Sequence, residues 1–301
     1  MNRGKKIVKR MLIVTLSLLI VFIGLHLYYI NTLTGKEIYP EDSFLSTVTN
    51  KKGLIITAHG DDDCGMAGTI AKLTSEGWDI KHVCIADLDA VRKESYIKAT
   101  TELNLSGLEF FEMLHRNDLD TNKTPWLPFP KEEFPKVFNT DTFHSALSSL
   151  IEKYKPEIIF SLDNIIGGYG NPDHVFISQL VVDICKEKKN SAGFPVKKIY
   201  QAVFSPSMAE SIMVRASRSA DEYNPYLVGK KVYHCNGMPL PDTEVNISNW
   251  GSQKKAYLSD FAEADLKNLK KFYKYFHWYP SSVYFRIFNK EYFHIIDINK
   301  L

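Results

Sequence analysis

Two short segments hold most of the side chains in this chain that are able to do chemistry. The first reads Ala58-His59-Gly60-Asp61-Asp62-Asp63-Cys64-Gly65, an imidazole and three consecutive carboxylates directly after the apolar run Gly53 to Ala58. Adjacent carboxylates repel one another unless a cation lies among them. One acidic residue is enough to cap a helix N-terminus and complement its dipole. Three with a histidine exceed that need and point to a metal site. His59 and Asp62, three apart across a tight turn, can converge on one point, whereas Asp61 must project differently and is left as a free carboxylate. A His–Asp pair alone binds weakly, so a third ligand is expected from the end of another strand.

The second segment runs from Asp163 to His174, Asp-Asn-Ile-Ile-Gly-Gly-Tyr-Gly-Asn-Pro-Asp-His, after the apolar run Glu157 to Leu162. Its glycines allow close backbone approach, and His174 opens the helix that follows. His174 reads either as a helix-start histidine bonded to Asp173 or as the third ligand. In the second case two histidines and a carboxylate leave coordination positions open, as catalytic zinc requires, and another divalent cation is compatible with the same donors.

The elements that must position these loops follow from hydrophobic periodicity. Strands are predicted at Gly53–Ala58, Ile80–Ala86, Glu109–Met113 and Glu157–Leu162. Helices are predicted at Met66–Glu76, Arg92–Leu103, Thr142–Tyr154 and His174–Lys188. Strands alternating with helices of this length indicate βαβ units, so the fold expected is α/β, a three-layer Rossmann-like, mostly parallel sheet over residues 51–205. Such sheets place their sites at the carboxyl ends of the strands. After about residue 205 the rhythm changes. A lysine-rich helix over Asp260–Phe276 and a hairpin made of Val283–Phe288 and Glu291–Ile296 are expected in a C-terminal extension, 206–301, packed on the core. The lysines and aromatics of 267–279 read as a solvated helix face or as a surface for membrane or glycan.

Of 301 residues, 45% are hydrophobic and 24% charged, a globular composition. Five of the basic residues lie in the first ten positions, so the other 291 residues carry 32 cationic against 35 anionic side chains. A mildly acidic body without a basic stripe excludes a nucleic-acid partner of the usual kind. No Walker or GxGxxG loop follows a strand. The four cysteines form no CxxC pair, and neither a disulfide nor a cysteine-ligated metal is expected.

Residues 11–30 form an apolar run broken only by Thr15, Ser17, Gly24 and His26, long enough at ~1.5 Å per residue to cross ~30 Å of hydrocarbon. This predicts a transmembrane anchor between a basic tail, 1–10, and a polar stem, 31–50. A cleaved signal peptide is the rival, but the run exceeds the usual length and no small-x-small site follows Tyr29. Five positive charges precede the span and only Lys36 follows closely, so the N-terminus is expected in the cytoplasm and the body outside.

Both chemical segments resemble the signatures of the zinc-dependent sugar de-N-acetylases of the PIG-L/LmbE type, AHPDDE after the first strand and GGYGHPDH after a later one. This chain reads AHGDDD at 58–63 and GGYGNPDH at 167–174, with the similarity covering Leu54 to about Phe204. The resemblance implies that His59, Asp62 and His174 bind zinc, with Asp61 as general base and Asp63 and Asp173 supporting the ligands. It implies further that Tyr169 contacts the substrate amide, and that Arg92 and Asp118 touch an N-acetylated amino sugar. Lipid- or polymer-linked envelope glycans are favoured by the anchor.

Three positions depart from the pattern. Gly60 replaces proline and Asp63 replaces glutamate. Asn171 stands where the family has a histidine that stabilises the oxyanion or assists the leaving amine, and an amide has no transferable proton. The readings that follow are a membrane-anchored deacetylase, a catalytically attenuated or silent sugar-binding protein with the same site, or a metal hydrolase of another amide.

Overall fold

A computed structural model describes residues 3–86, 89–111, 113–215 and 223–301. Seven strands form one sheet: β1 (Lys52–Thr57), β2 (Asp79–Cys84), β3 (Gly107–Phe110), β4 (Ile158–Leu162), β5 (Lys198–Val203), β6 (Thr243–Asn246) and β7 (Lys290–Asp297). Their order is β3-β2-β1-β4-β5-β7-β6. The first five strands are mutually parallel, and β7 runs antiparallel to both β5 and β6. Central strands of a parallel sheet are covered on both faces, which is why Leu54, Ile55, Ile56, Ile158, Ile159 and Phe160 are wholly buried.

Twelve helices accompany the sheet among the described residues: α1 (Arg3–Thr32), α2 (Ala67–Ser75), α3 (Ala90–Thr101), α4 (Phe134–Val137), α5 (Thr140–Tyr154), α6 (Gly167–Gly170), α7 (Pro172–Lys188), α8 (Pro206–Ala209), α9 (Pro225–Val232), α10 (Gly251–Ser259), α11 (Glu263–Phe272) and α12 (Ser281–Ile287). Helix α10 packs on α2 and α3, while α5 packs on α7, which also lies against β1 and β4. Right-handed crossovers put these two groups on opposite faces of the sheet, the three-layer α/β arrangement expected.

The periodicity placed β1 to β4 and α2, α3, α5 and α7 with boundaries shifted by up to three residues, and did not anticipate the single-turn helices α4 and α6. The third strand is Gly107–Phe110 and ends short of the expected Met113, with residue 112 outside the described residues. Two expectations fail beyond residue 205. Of the run Asp260–Phe276 only Glu263–Phe272 is α-helical, as α11, and a bend at residues 260–261 separates it from the end of α10. Val283–Ile287 belongs to α12, which starts after Pro280 and is capped by Phe288. Its apolar side chains fit a helical face as well as strand alternation, and Asn289-Lys290 makes no hairpin. Strand β7 pairs instead with β5 and with β6, some forty residues earlier in the chain, so the C-terminal part continues the sheet itself.

The polar stem is a docked strap. Glu37 accepts from the Ser207 amide at 2.9 Å and its hydroxyl at 2.7 Å, Tyr200 donates to Asp42 at 2.8 Å, and the Asp42 amide donates to the Glu244 carbonyl at 3.0 Å. Helix α1 exposes its apolar side chains from Ile7 to Leu25 and is long and apolar enough to cross a membrane. All four cysteines are free thiols.

Candidate metal centre

Strands β1 and β4 are neighbours, and the chain leaves them toward opposite faces, so the sheet has its topological switch point between them. Loops following such strands diverge and leave a crevice at the carboxyl edge. The loop after β1 carries His59 to Asp63, and the loop after β4 leads to His174 in the first turn of α7. Asp163 ends β4 and organises the second loop: its carboxylate accepts from the amides of Ile165, Ile166 and Gly168 at 3.0, 2.7 and 2.7 Å. Gly167 and Gly170 both have positive φ, 60° and 105°. A Cβ at 167 would meet the His174 Cβ at 2.6 Å, and one at 170 would meet the Pro225 carbonyl at 2.5 Å, so the loop packs where only glycine fits.

His59, Asp62 and His174 converge, each offering an atom within 4.8 Å of the others. His174 Nε2 lies 3.0 Å from Asp62 Oδ1 and 3.0 Å from His59 Nδ1, which is 3.6 Å from Asp62 Oδ2. The outer nitrogens have separate partners. His174 Nδ1 donates to the Gly167 carbonyl at 3.0 Å, and His59 Nε2 faces Asp173 Oδ2 at 3.3 Å. Partners of this kind fix the tautomer and leave the inner nitrogens as lone-pair donors. Two imidazole lone pairs and a carboxylate in contact repel one another unless a positive charge sits between them, so the donor set fits a divalent cation. The electrostatics agree. Burial works against a charge on His59, but Asp62 and Asp173 overcome it and hold the imidazole up at about 10. The two histidines likewise overcome desolvation and hold Asp62 far below the ordinary carboxylate range.

Two buried polar groups brace this centre, and most of their members have no motif to announce them. Asp173 accepts from His115 Nε2 at 3.1 Å and from the Arg116 guanidinium at 2.8 Å. Arg116, fully buried, also grips both oxygens of Asp118 at 2.8 Å. Asp118, expected to touch substrate, is thus the counter-ion of Arg116. On the other side, fully buried Asp63 accepts from the Tyr257 hydroxyl and lies 3.4 Å from His82 Nδ1. His82 is bonded in turn to Tyr96 and, at 2.7 Å, to Thr57. Gly60 has a local reason as well: a Cβ there would stand 2.9 Å from the Tyr96 ring.

Asp61 and Tyr169 line a cavity with Asp62 and His174, walled further by Phe204, Met213, Met238 and Phe272. Burial and the neighbouring carboxylates of Asp62 and Asp265 push Asp61 up to about 6, against the pull of His59 and Arg92. Burial keeps the Tyr169 hydroxyl protonated. Asn171 caps α7, its Oδ1 accepting from the Asp173 amide at 2.9 Å. Arg92 lies in the first turn of α3, but its guanidinium is held by Asp265 of α11 at 2.9–3.0 Å, a partner from the C-terminal part.

No curated protein matches the chain in sequence. Among solved structures, 4-carboxy-2-hydroxymuconate hydratase from Pseudomonas putida superposes at 15% identity, covering 81% of this chain and 95% of its own, with a TM-score of 0.50. The diacetylchitobiose deacetylase of Pyrococcus horikoshii aligns at 17% identity over 83% of this chain and 85% of its own, TM-score 0.46. A zinc-inhibited teicoplanin deacetylase aligns at 14% over 82% and 98%, TM-score 0.46. The likeness to the hydratase concerns the fold alone. The family model for GlcNAc-PI de-N-acetylase matches residues 54–185, the stretch that contains most of β1, all of β4, both loops and all three converging residues. Residues 54–185 are accordingly a PIG-L family domain.

Proposed function

We propose that the protein is a membrane-anchored, metal-dependent deacetylase that hydrolyses the N-acetyl group of an amino sugar. The observation that carries this reading is the convergence of His59, Asp62 and His174 beside a cavity into which Asp61 and Tyr169 project. A zinc ion or similar cation held by those three residues supplies Lewis-acid polarisation of an amide carbonyl and of water.

The protein's own groups divide the remaining work. Asp61, ionised near neutral pH yet more basic than a free carboxylate, takes a proton from the attacking water and returns it to the departing amine. Tyr169, kept protonated by burial, has its O–H to donate to the developing oxyanion. Arg92 keeps one guanidinium nitrogen for sugar hydroxyls at the rim, with Asp265 fixing its position. Helix α1 serves as the membrane anchor, with the charge bias placing the basic tail in the cytoplasm and the body outside. Such a tether favours a lipid-linked or polymeric glycan held at the same surface.

A second reading, sugar binding without turnover, is favoured by one observation: Asn171 spends its carbonyl oxygen on the α7 cap and has no proton to transfer. Amine release from N-acetylglucosamine conjugates separates the two. Turnover that is lost on chelation and restored by zinc supports the enzyme. A metal-loaded protein that binds the conjugates without releasing amine, and gains turnover on Asn171→His, establishes the silent reading.

A further inference from the structure

The last turns of α1 do not stand clear of the body. His26, Leu27, Ile30 and Leu33 lie on one helical face and are partly or wholly buried against it, Ile30 completely. His26 is enclosed by Tyr275, Trp278 and Tyr279, with ring centroids 4.6, 5.4 and 5.7 Å away, and its Nδ1 is 2.6 Å from the Tyr279 hydroxyl.

This contact fixes the depth of the 275–279 loop. The exposed apolar stretch below it, Met11 to Leu25, spans about 22 Å at ~1.5 Å per residue, short of the ~30 Å of hydrocarbon. Extending the span toward the N-terminus would draw Arg10 and Lys9 into the bilayer, which is costly. Extending it the other way uses residues 26–30, and these carry the loop with them. Trp278, 59% exposed, and Tyr28, 70% exposed, then lie at the level where tryptophan and tyrosine are favoured, apolar rings inward and polar tips wet. Just past the end of the span, Asn31, Thr34, Gly35 and Lys36 wall a polar cavity with Arg286 and Lys290. Lys290 pairs with Glu244 at 2.6 Å, whereas Arg286 has no carboxylate partner among the described residues. Cations therefore stand at the depth of lipid phosphates.

We propose that Tyr275, Trp278 and Tyr279 form an interfacial wedge that seats the body on the bilayer α1 crosses, with Lys36 and Arg286 facing anionic headgroups. The proposal rests on the reading of α1 as a membrane span. It gives the active cavity a fixed height, because α11, which walls that cavity through Asn268, Leu269 and Phe272, runs directly into the wedge.

The test uses the full chain reconstituted in vesicles of phosphatidylcholine and phosphatidylglycerol, with acyl chains brominated just below the headgroup. Wild-type tryptophan emission is quenched by these lipids, and Trp278→Phe, a change at an exposed position, loses most of that quenching. Equal quenching in the two proteins, or none in protein that resists carbonate extraction, overturns the wedge while the span stands. Protein that carbonate strips from the vesicles overturns the span and the wedge together.

Discussion

Replacing Asp173 by asparagine keeps the shape of the side chain and removes its charge, and its consequences can be worked from the contacts. In the native protein one carboxylate receives Arg116 at 2.8 Å and His115 at 3.1 Å, and its Oδ2 faces His59 Nε2 at 3.3 Å. His59, in the proposed role of metal ligand, thus loses the anion that orients its ring and strengthens its inner nitrogen as a donor. Changes of this kind beside a metal weaken binding by roughly 10- to 100-fold, or about 1.4 to 2.7 kcal/mol. Breaking a buried ion pair outright costs roughly 3–5 kcal/mol, but Arg116 keeps both oxygens of Asp118, so the loss of fold stability should fall below that range. The assay is a competition titration of zinc against a chromophoric chelator, paired with thermal melts at several metal concentrations. The metal-dependent rise in Tm should shrink in the variant because ligand stabilisation follows the logarithm of metal concentration over Kd. An unchanged zinc affinity accompanied by a lowered Tm would refute the reasoning, leaving Asp173 a purely structural counter-ion.

Asp61→Asn should retain metal and fold while amine release falls by about 10²- to 10⁴-fold, the usual worth of a positioned general base; wild-type turnover in the variant contradicts that role. Lys254, fully buried, is bonded to Glu291 and at 3.0 Å to Tyr273, and Glu291 accepts the Gly68 and Thr69 amides at 2.9 and 2.6 Å. Lys254→Met strands that carboxylate and should destabilise by roughly 3–5 kcal/mol in urea titration, with Glu291→Gln in the same chain recovering part of the loss. Desolvation pushes Glu37 up, but hydrogen bonds from the Ser207 hydroxyl and amide prevail and hold it at about 2. Its folded value lies below an unfolded value of ~4.3, so its stabilisation of the strap is complete above that pH and lost as pH falls toward 2. Protection of the Ser207 amide from hydrogen exchange should decline over that window in the wild type, and a Glu37→Gln protein should show no such decline.

The sequence carried the parts of the fold whose pattern is local. Strand β1 is a run of β-branched and apolar residues, α7 begins at Pro172, and the order of strands and helices implies the switch point that brings His59 and His174 together. The convergence of His59, Asp62 and His174 was legible because all three lie next to glycine-rich turns with fixed spacing. Their supports were not. His82 sits in mid-strand, His115 and Arg116 in a loop without regular structure, and Tyr257 on a helix almost two hundred residues from Asp63, so only folding makes them neighbours. The same distance hid Asp265 from Arg92 and β7 from β5. Val283–Phe288 misled because its apolar residues satisfy two periods at once, and the strap at 31–50 because polar residues that dock look like polar residues that do not.

The central claim is that His59, Asp62 and His174 hold one cation between two loops, and substitution of cobalt(II) tests it most directly. Titrating the full-length protein with Co2+ should give a saturating visible absorption band at one equivalent, with an intensity typical of four or five ligands. Asp62→Asn and His174→Ala should each abolish that band without unfolding the protein. A wild-type protein with no such band, or variants that bind cobalt as well as the parent does, would contradict the account.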